Sequence, residues 1–211
     1  MDSLTHRTGP VHVPGYWRRK TAALFRWLHI YLSMVSFGLL FFFAATGLTL
    51  NHAETFAGGE PRVTREQGRV DRAWVGENVA NVAKLEVVEY LRRTHGVHGL
   101  VGEFRIEDAT CAVVFKGPAY SAEAVIERAT GTYELVETRF GLVALLNDLH
   151  KARDSGRGWS LVVDASAVLM MVVSLTGMVL IYFVRHRFVS GAIVALVGTA
   201  LGLLAYFVLV P

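Results

Sequence analysis

Cysteine is almost missing from this chain: Cys111 stands alone in 211 residues. No intrachain disulfide can form. Covalent haem attachment needs Cys-x-x-Cys-His, and cysteine-held iron–sulfur clusters need several thiolates, so both are excluded. There is no phosphate-binding loop, no dinucleotide fingerprint and no nucleophile–base–acid constellation. Flavin or nicotinamide binding by this chain is therefore not expected. Charge is missing too, over long stretches. Met34 to Leu50 and Phe188 to Val210 carry none, and Leu161 to Val184 carries only Asp164.

Each of these blocks approaches the roughly 20 residues that a helix needs to cross a hydrocarbon core. Backbone groups in lipid must pair internally, and strands here are too few to close a barrel, so the blocks are expected to be helices. The first block follows the basic run Arg18-Arg19-Lys20, as the core of a signal peptide would. Its apolar stretch from Trp27 to Leu50 exceeds the roughly 7–15 residues of such a core, and a retained helix is expected.

The net charge of +3 invites a nucleic-acid reading. The placement of the charges argues otherwise. Arg7, Arg18, Arg19, Lys20 and Arg26 lie before the uncharged part of the first span against Asp2 alone, and Arg185 and Arg187 follow the second. By the positive-inside rule both flanks face the cytoplasm. The basic excess is a topology signal, and no nucleic-acid partner is expected.

The chain then divides into a cytoplasmic tail (1–20), a first span (21–51), an extracytoplasmic segment (52–159), a second span (160–184) and a third (188–210). Tyr16, Trp17, Trp27 and Trp159 resemble interfacial anchors. Residues 53–72, with Gly58-Gly59 and Pro61, read as a linker. Val79, Val82, Leu85, Val88 and Leu91 recur at helical spacing, with His95-Gly96 as the stop. Strand-like runs follow at 102–107, 111–115, 121–127 and 132–136. A helix and a meander make a small α+β module. Residues 140–151 form an apolar helical pattern that either lies on the membrane surface or begins the second span. Gly198-x-x-x-Gly202 in the third span would permit close helix packing.

Histidines mark the edges of the apolar blocks. His29 lies near the start of the first, His52 closes it, His150 precedes the second and His186 ends it. Ionisable groups at such depths are functional candidates. Neutral imidazole is a good iron ligand, and two imidazoles suit a low-spin electron-transfer haem. Topology groups His52 with His150 at the outer face and His29 with His186 at the inner. One shared metal ion, or a hydrogen bond between the two rings, accounts equally for the outer pair. His186, between two arginines, also reads as a turn residue. His29 and His52 stand 23 positions apart, roughly 35 Å along a helix. Two haems at that separation would call for an intervening carrier. His95 and His98 read as surface imidazoles, and His6 and His12 lie in the tail. Asp164 reads as a near-interface carboxylate, with Arg157 or a histidine N–H as candidate partners. Ser166, Ser174 and Thr176 read as helix-packing groups. Thr46-Gly47-Leu48 and Thr176-Gly177-Met178 form a faint repeat, which simple packing through glycine also explains.

Several of these elements together resemble a family. Leu28-His29, Thr46-Gly47-x-x-Leu50-Asn51-His52, Asp148-Leu149-His150-Lys151-x-x-Asp154-x-Gly156 and Leu175-Thr176-Gly177 are similar to PepSY-associated transmembrane proteins, over about Trp27 to Tyr182. The resemblance implies a membrane α-helical fold of three transmembrane helices, with a periplasmic α+β PepSY-like insert between the first and second. It implies residence in the bacterial inner membrane, with the N-terminus cytoplasmic and the C-terminus periplasmic. Larger relatives include ferric-siderophore reductases that carry b-type haem between histidines. One or two b haems on His52, His150, His29 and His186, with a ferric chelate as substrate, are the corresponding expectations. This chain has three spans and one insert, fewer than a self-contained reductase of that kind. The alternative is a non-catalytic accessory subunit of a larger respiratory or transport complex, or a homo-oligomer. A link of PepSY modules to protease regulation is a third option.

Overall fold

A computed structural model describes residues 15–56, 59–76, 81–184 and 187–211. Among the described residues, three helices are long and apolar enough to cross a membrane: α1 (Tyr16–Asn51), α6 (Gly156–Phe183) and α7 (Phe188–Leu209). The chain is a membrane protein. α1 starts before the expected Thr21, and its first turn carries the basic run. α6 takes in Gly156, Arg157 and Gly158, ahead of the expected start of the second span at residue 160. Between α1 and α6 in chain order come α2 (Ala53–Phe56), β1 (Arg62–Arg69), α3 (Arg72–Val75), α4 (Lys84–His95), β2 (Leu100–Ile106), β3 (Thr110–Gly117), β4 (Tyr120–Glu127), β5 (Thr132–Arg139) and α5 (Leu142–His150).

The chain forms two compact units. One is built from described residues within 39–166, and the other from described residues within 15–38 and 167–211. The first is built on an antiparallel sheet of order β1-β5-β4-β3-β2. Strict alternation fills one face: Val113 and Phe115 of β3, Ala122, Ala124 and Ile126 of β4, and Tyr133 and Leu135 of β5 are all buried. Val87, Val88 and Leu91 of α4 complete this core. Each large apolar side chain so buried contributes about 1.5–3 kcal/mol. Gly96 ends α4 in a left-handed turn at φ +67, the expected stop. Leu85, expected on the apolar face, is exposed, because the packed stripe runs through Val87, Val88 and Leu91. Val79 lies outside the described residues.

The linker expected over 53–72 is corrected: the stretch holds α2, β1 and the Asp71-capped start of α3. β1 has no hydrophobic alternation of its own. Its sequence Arg-Val-Thr-Arg-Glu-Gln-Gly-Arg is exposed at nearly every position. Pairing with β5 makes it a strand, from Arg62 opposite Arg139 to Arg69 opposite Thr132. Charged side chains suit such an edge, since they discourage pairing with another chain. The other edge strand, β2, is interrupted by a register shift around Gly102, which has the same effect.

Arg128 is buried beneath the sheet's end. Its guanidinium donates to the carbonyls of Val75 (3.2 Å), Gly76 (2.7 Å), Glu107 (2.9 Å) and Asp108 (2.9 Å). In the other unit, Gly191 near the start of α7 meets Ile181 of α6, where a Cβ would come within 2.7 Å of the isoleucine. Gly198 and Gly202 have nothing within 4 Å of a Cβ position among the described residues. Their spacing therefore makes no helix contact within the described chain.

Candidate functional site

Of the four boundary histidines, those whose rings are bonded among the described residues are His29 and His150, each against a Thr-Gly pair. On α1, His29 places Nδ1 3.0 Å from Thr176 Oγ1 and 3.1 Å from the Val173 carbonyl. The ring lies over Gly177, where a Cβ would stand 3.0 Å from Cε1. At the end of α5, His150 places Nδ1 2.6 Å from Thr46 Oγ1. Its ring lies over Gly47, with a Cβ position 3.6 Å from Cε1. The edge of Phe43 meets the same ring at 5.2 Å between centroids.

Both threonines are buried and bond back into their own helices. Thr176 Oγ1 donates to the Val173 carbonyl at 2.9 Å, and Thr46 Oγ1 lies 2.7 Å from the Phe42 carbonyl. The faint Thr-Gly repeat thus has a physical meaning: hydroxyl and missing side chain together receive an imidazole. The repeat extends further. Ser36 and Ser166 stand at the same spacing before Thr46 and Thr176, and all four hydroxyl residues are buried. No described atom bonds Nε2 of either His29 or His150, and neither Nε2 is an enclosed, unpaired atom. Each cluster can therefore offer one imidazole nitrogen to a metal or another donor-seeking group.

The Asp148-Leu149-His150 element is a three-way brace on α5. Asp148 accepts from the Ala119 amide at 2.9 Å, at the β3–β4 turn, and pairs with Arg153 at 2.7 Å. The Leu149 carbonyl accepts from Trp159 Nε1 at 2.8 Å. His150 and Asn147, three positions apart, reach α1 at Thr46 and Thr49, the latter at 2.9 Å. The following loop turns through left-handed residues at Ala152, Asp154 and Gly156, which accounts for the Asp-x-Gly that ends the motif.

The remaining candidates lie elsewhere. His52 follows α1 with an exposed ring, and only its backbone is bonded among the described residues. His186 lies outside the described residues. Asp164 is exposed on α6, and no ion pair to Arg157 or a histidine forms among the described residues.

Sequence reasoning placed His95 on the surface, and that is corrected. Its Nδ1 bonds the Glu66 carboxylate of β1, and its Nε2 lies 2.6 Å from the Tyr133 hydroxyl. The signal was present: Val87, Leu91 and His95 recur every fourth residue, on the face of α4 that packs on the sheet. Tyr133 is pushed up to about 12, first by burial and then by the neighbouring Tyr90 phenol and the Glu66 charge. His98 stacks on Tyr120 at 3.9 Å.

The model of the putative PepSY_TM-like family matches residues 23–211. Comparison with curated proteins and with solved structures finds no match. The match takes in α1 from residue 23 onward, the other two membrane-length helices, the five strands and both histidine clusters, and this chain belongs to the PepSY_TM-like family.

Proposed function

We propose that the chain is a b-type haem protein of the bacterial inner membrane that passes electrons outward, toward a ferric chelate. The observation that supports this is the duplicated cluster: a Thr-Gly pair holds Nδ1 of His29 and of His150, and Nε2 of each is left for iron. Metal-bound histidines commonly anchor the second ring nitrogen in this way, which fixes ring orientation and ligand basicity. His52 would share the hold on one haem with His150, and His186 on the other with His29. Haem, when bound, supplies a one-electron iron couple. The chain's part is to present imidazoles, exclude water and hold each ring on its helix. The proposed orientation is cytoplasmic for the N-terminus and periplasmic for residues 52–159 and the C-terminus, on the strength of Arg18, Arg19, Lys20, Arg26, Arg185 and Arg187.

The test is haem retention in protein produced with ample haem and purified in detergent. Wild type is expected to retain haem with a low-spin spectrum, and His150→Ala and His29→Ala are each expected to lose it from their own site. A folded, colourless wild type overturns the proposal.

A second reading, a non-catalytic accessory subunit, is favoured by α7. That helix is apolar on every side, and none of its membrane-length window is buried among the described residues. Stable copurification with other membrane proteins, combined with tolerance of histidine substitution, would support this reading over the first.

A further inference from the structure

We infer that Thr46 is a positioning residue that holds His150 in the Nδ1–H tautomer, and that the Val173 carbonyl, with Thr176 as a second acceptor, holds His29 in the same form, so that Nε2 of each ring carries the lone pair. The case is tightest at His29. A carbonyl oxygen only accepts, and Nδ1 lies 3.1 Å from the Val173 carbonyl. In a neutral ring the proton on Nδ1 satisfies this contact, and the lone pair falls on Nε2. Thr176 uses its own proton on the same carbonyl, so its oxygen is free to accept from Nδ1 at 3.0 Å. His150 repeats the arrangement. Thr46 directs its proton to the Phe42 carbonyl at 2.7 Å, and its oxygen accepts from His150 Nδ1 at 2.6 Å.

The two clusters differ in one respect that makes the assignment testable. His29 has two acceptors for its Nδ1–H, a hydroxyl and a carbonyl, and His150 has one among the described residues. Removing the hydroxyl therefore strips His150 of its anchor and leaves His29 with the Val173 carbonyl. Without an anchor, a histidine ring reverts toward the Nε2–H form that free imidazole side chains prefer in water.

The experiment is nitrogen-15 NMR of the full chain, labelled at histidine and purified without haem, under conditions where imidazole is neutral. His29→Gln and His150→Gln variants assign the two rings. Wild type is expected to show pyrrole-type Nδ1 and pyridine-type Nε2 for both. Thr46→Val should shift His150 toward the opposite pattern, Thr46→Ser should restore it, and Thr176→Val should leave His29 largely unchanged. Wild-type rings in the Nε2–H form overturn the assignment before any variant is made. An unaltered His150 in folded Thr46→Val overturns it as well. A second readout rests on the haem reading: Thr46→Val should raise the reduction potential of the His150 site, because an imidazole without an acceptor on Nδ1 is a weaker donor to ferric iron. A colourless protein with the Nδ1–H tautomer would sink the haem reading and leave the threonine assignment standing. Haem bound with an unchanged potential in Thr46→Val would do the reverse.

Discussion

A methyl group at Gly177 would stand 3.0 Å from Cε1 of His29, whereas one at Gly47 would stand 3.6 Å from His150. The first distance forces the ring to move, and the second is ordinary contact. Gly177→Ala should therefore displace His29 and cost about 1–3 kcal/mol, the usual scale of overpacking. Gly47→Ala should be neutral to within about 1 kcal/mol. Thermal melts in detergent check both, and equal effects would contradict the packing described. In the sheet unit, Tyr133 holds its proton more tightly when folded, since its pKa rises from 10.0 to about 12. Its contribution is present below about pH 10 and is lost between about 10 and 12, on the order of 3 kcal/mol. Tyr133→Phe should flatten that part of the stability–pH curve. The four boundary histidines were visible as residue types at block edges. Their partners were not, because Thr176 lies 147 positions from His29 and Thr46 lies 104 from His150.

Among the elements, α5 does the most connecting. Its Asp148 carboxylate serves the Ala119 amide and Arg153, while Asn147 and His150 reach the C-terminal end of α1. Asp148→Ala leaves a buried amide unpaired and should destabilise the sheet unit by about 1–3 kcal/mol. Denaturation followed by the reactivity of Cys111 measures this, because that thiol is buried and burial pushes its pKa up. It should react only on unfolding, and at lower denaturant in the variant. Unequal legibility of the elements has a physical origin. β3, β4 and β5 alternate because one face is buried, so period-two reasoning found them. β1 is an edge strand that buries almost nothing, and only pairing with β5 reveals it. α5 was legible as a helix, but the division of labour between Asp148 and His150 depends on what lies on either side.

Across the whole molecule, the apolar blocks were the plainest signal in the sequence, and all three are helices of membrane length. The proposed orientation rests on arginine and lysine placement alone. With Cys111 buried and slow to react, single thiols can report sidedness. Glu123→Cys, on the exposed face of the sheet, should be labelled by an impermeant maleimide added outside intact inner-membrane spheroplasts. Ser3→Cys should be labelled only after permeabilisation. The opposite pattern would invert the topology, and with it the direction of any electron flow.

The central claim is that the duplicated Thr-Gly-held histidines carry haem. A reduced-minus-oxidised spectrum with pyridine haemochrome quantification on the purified full chain tests it most directly. The account predicts b-type bands, with stoichiometry falling in His29→Ala and in His150→Ala and vanishing in the double variant. A folded wild type that takes up no haem from excess, or haem that persists undiminished in the double variant, would contradict it.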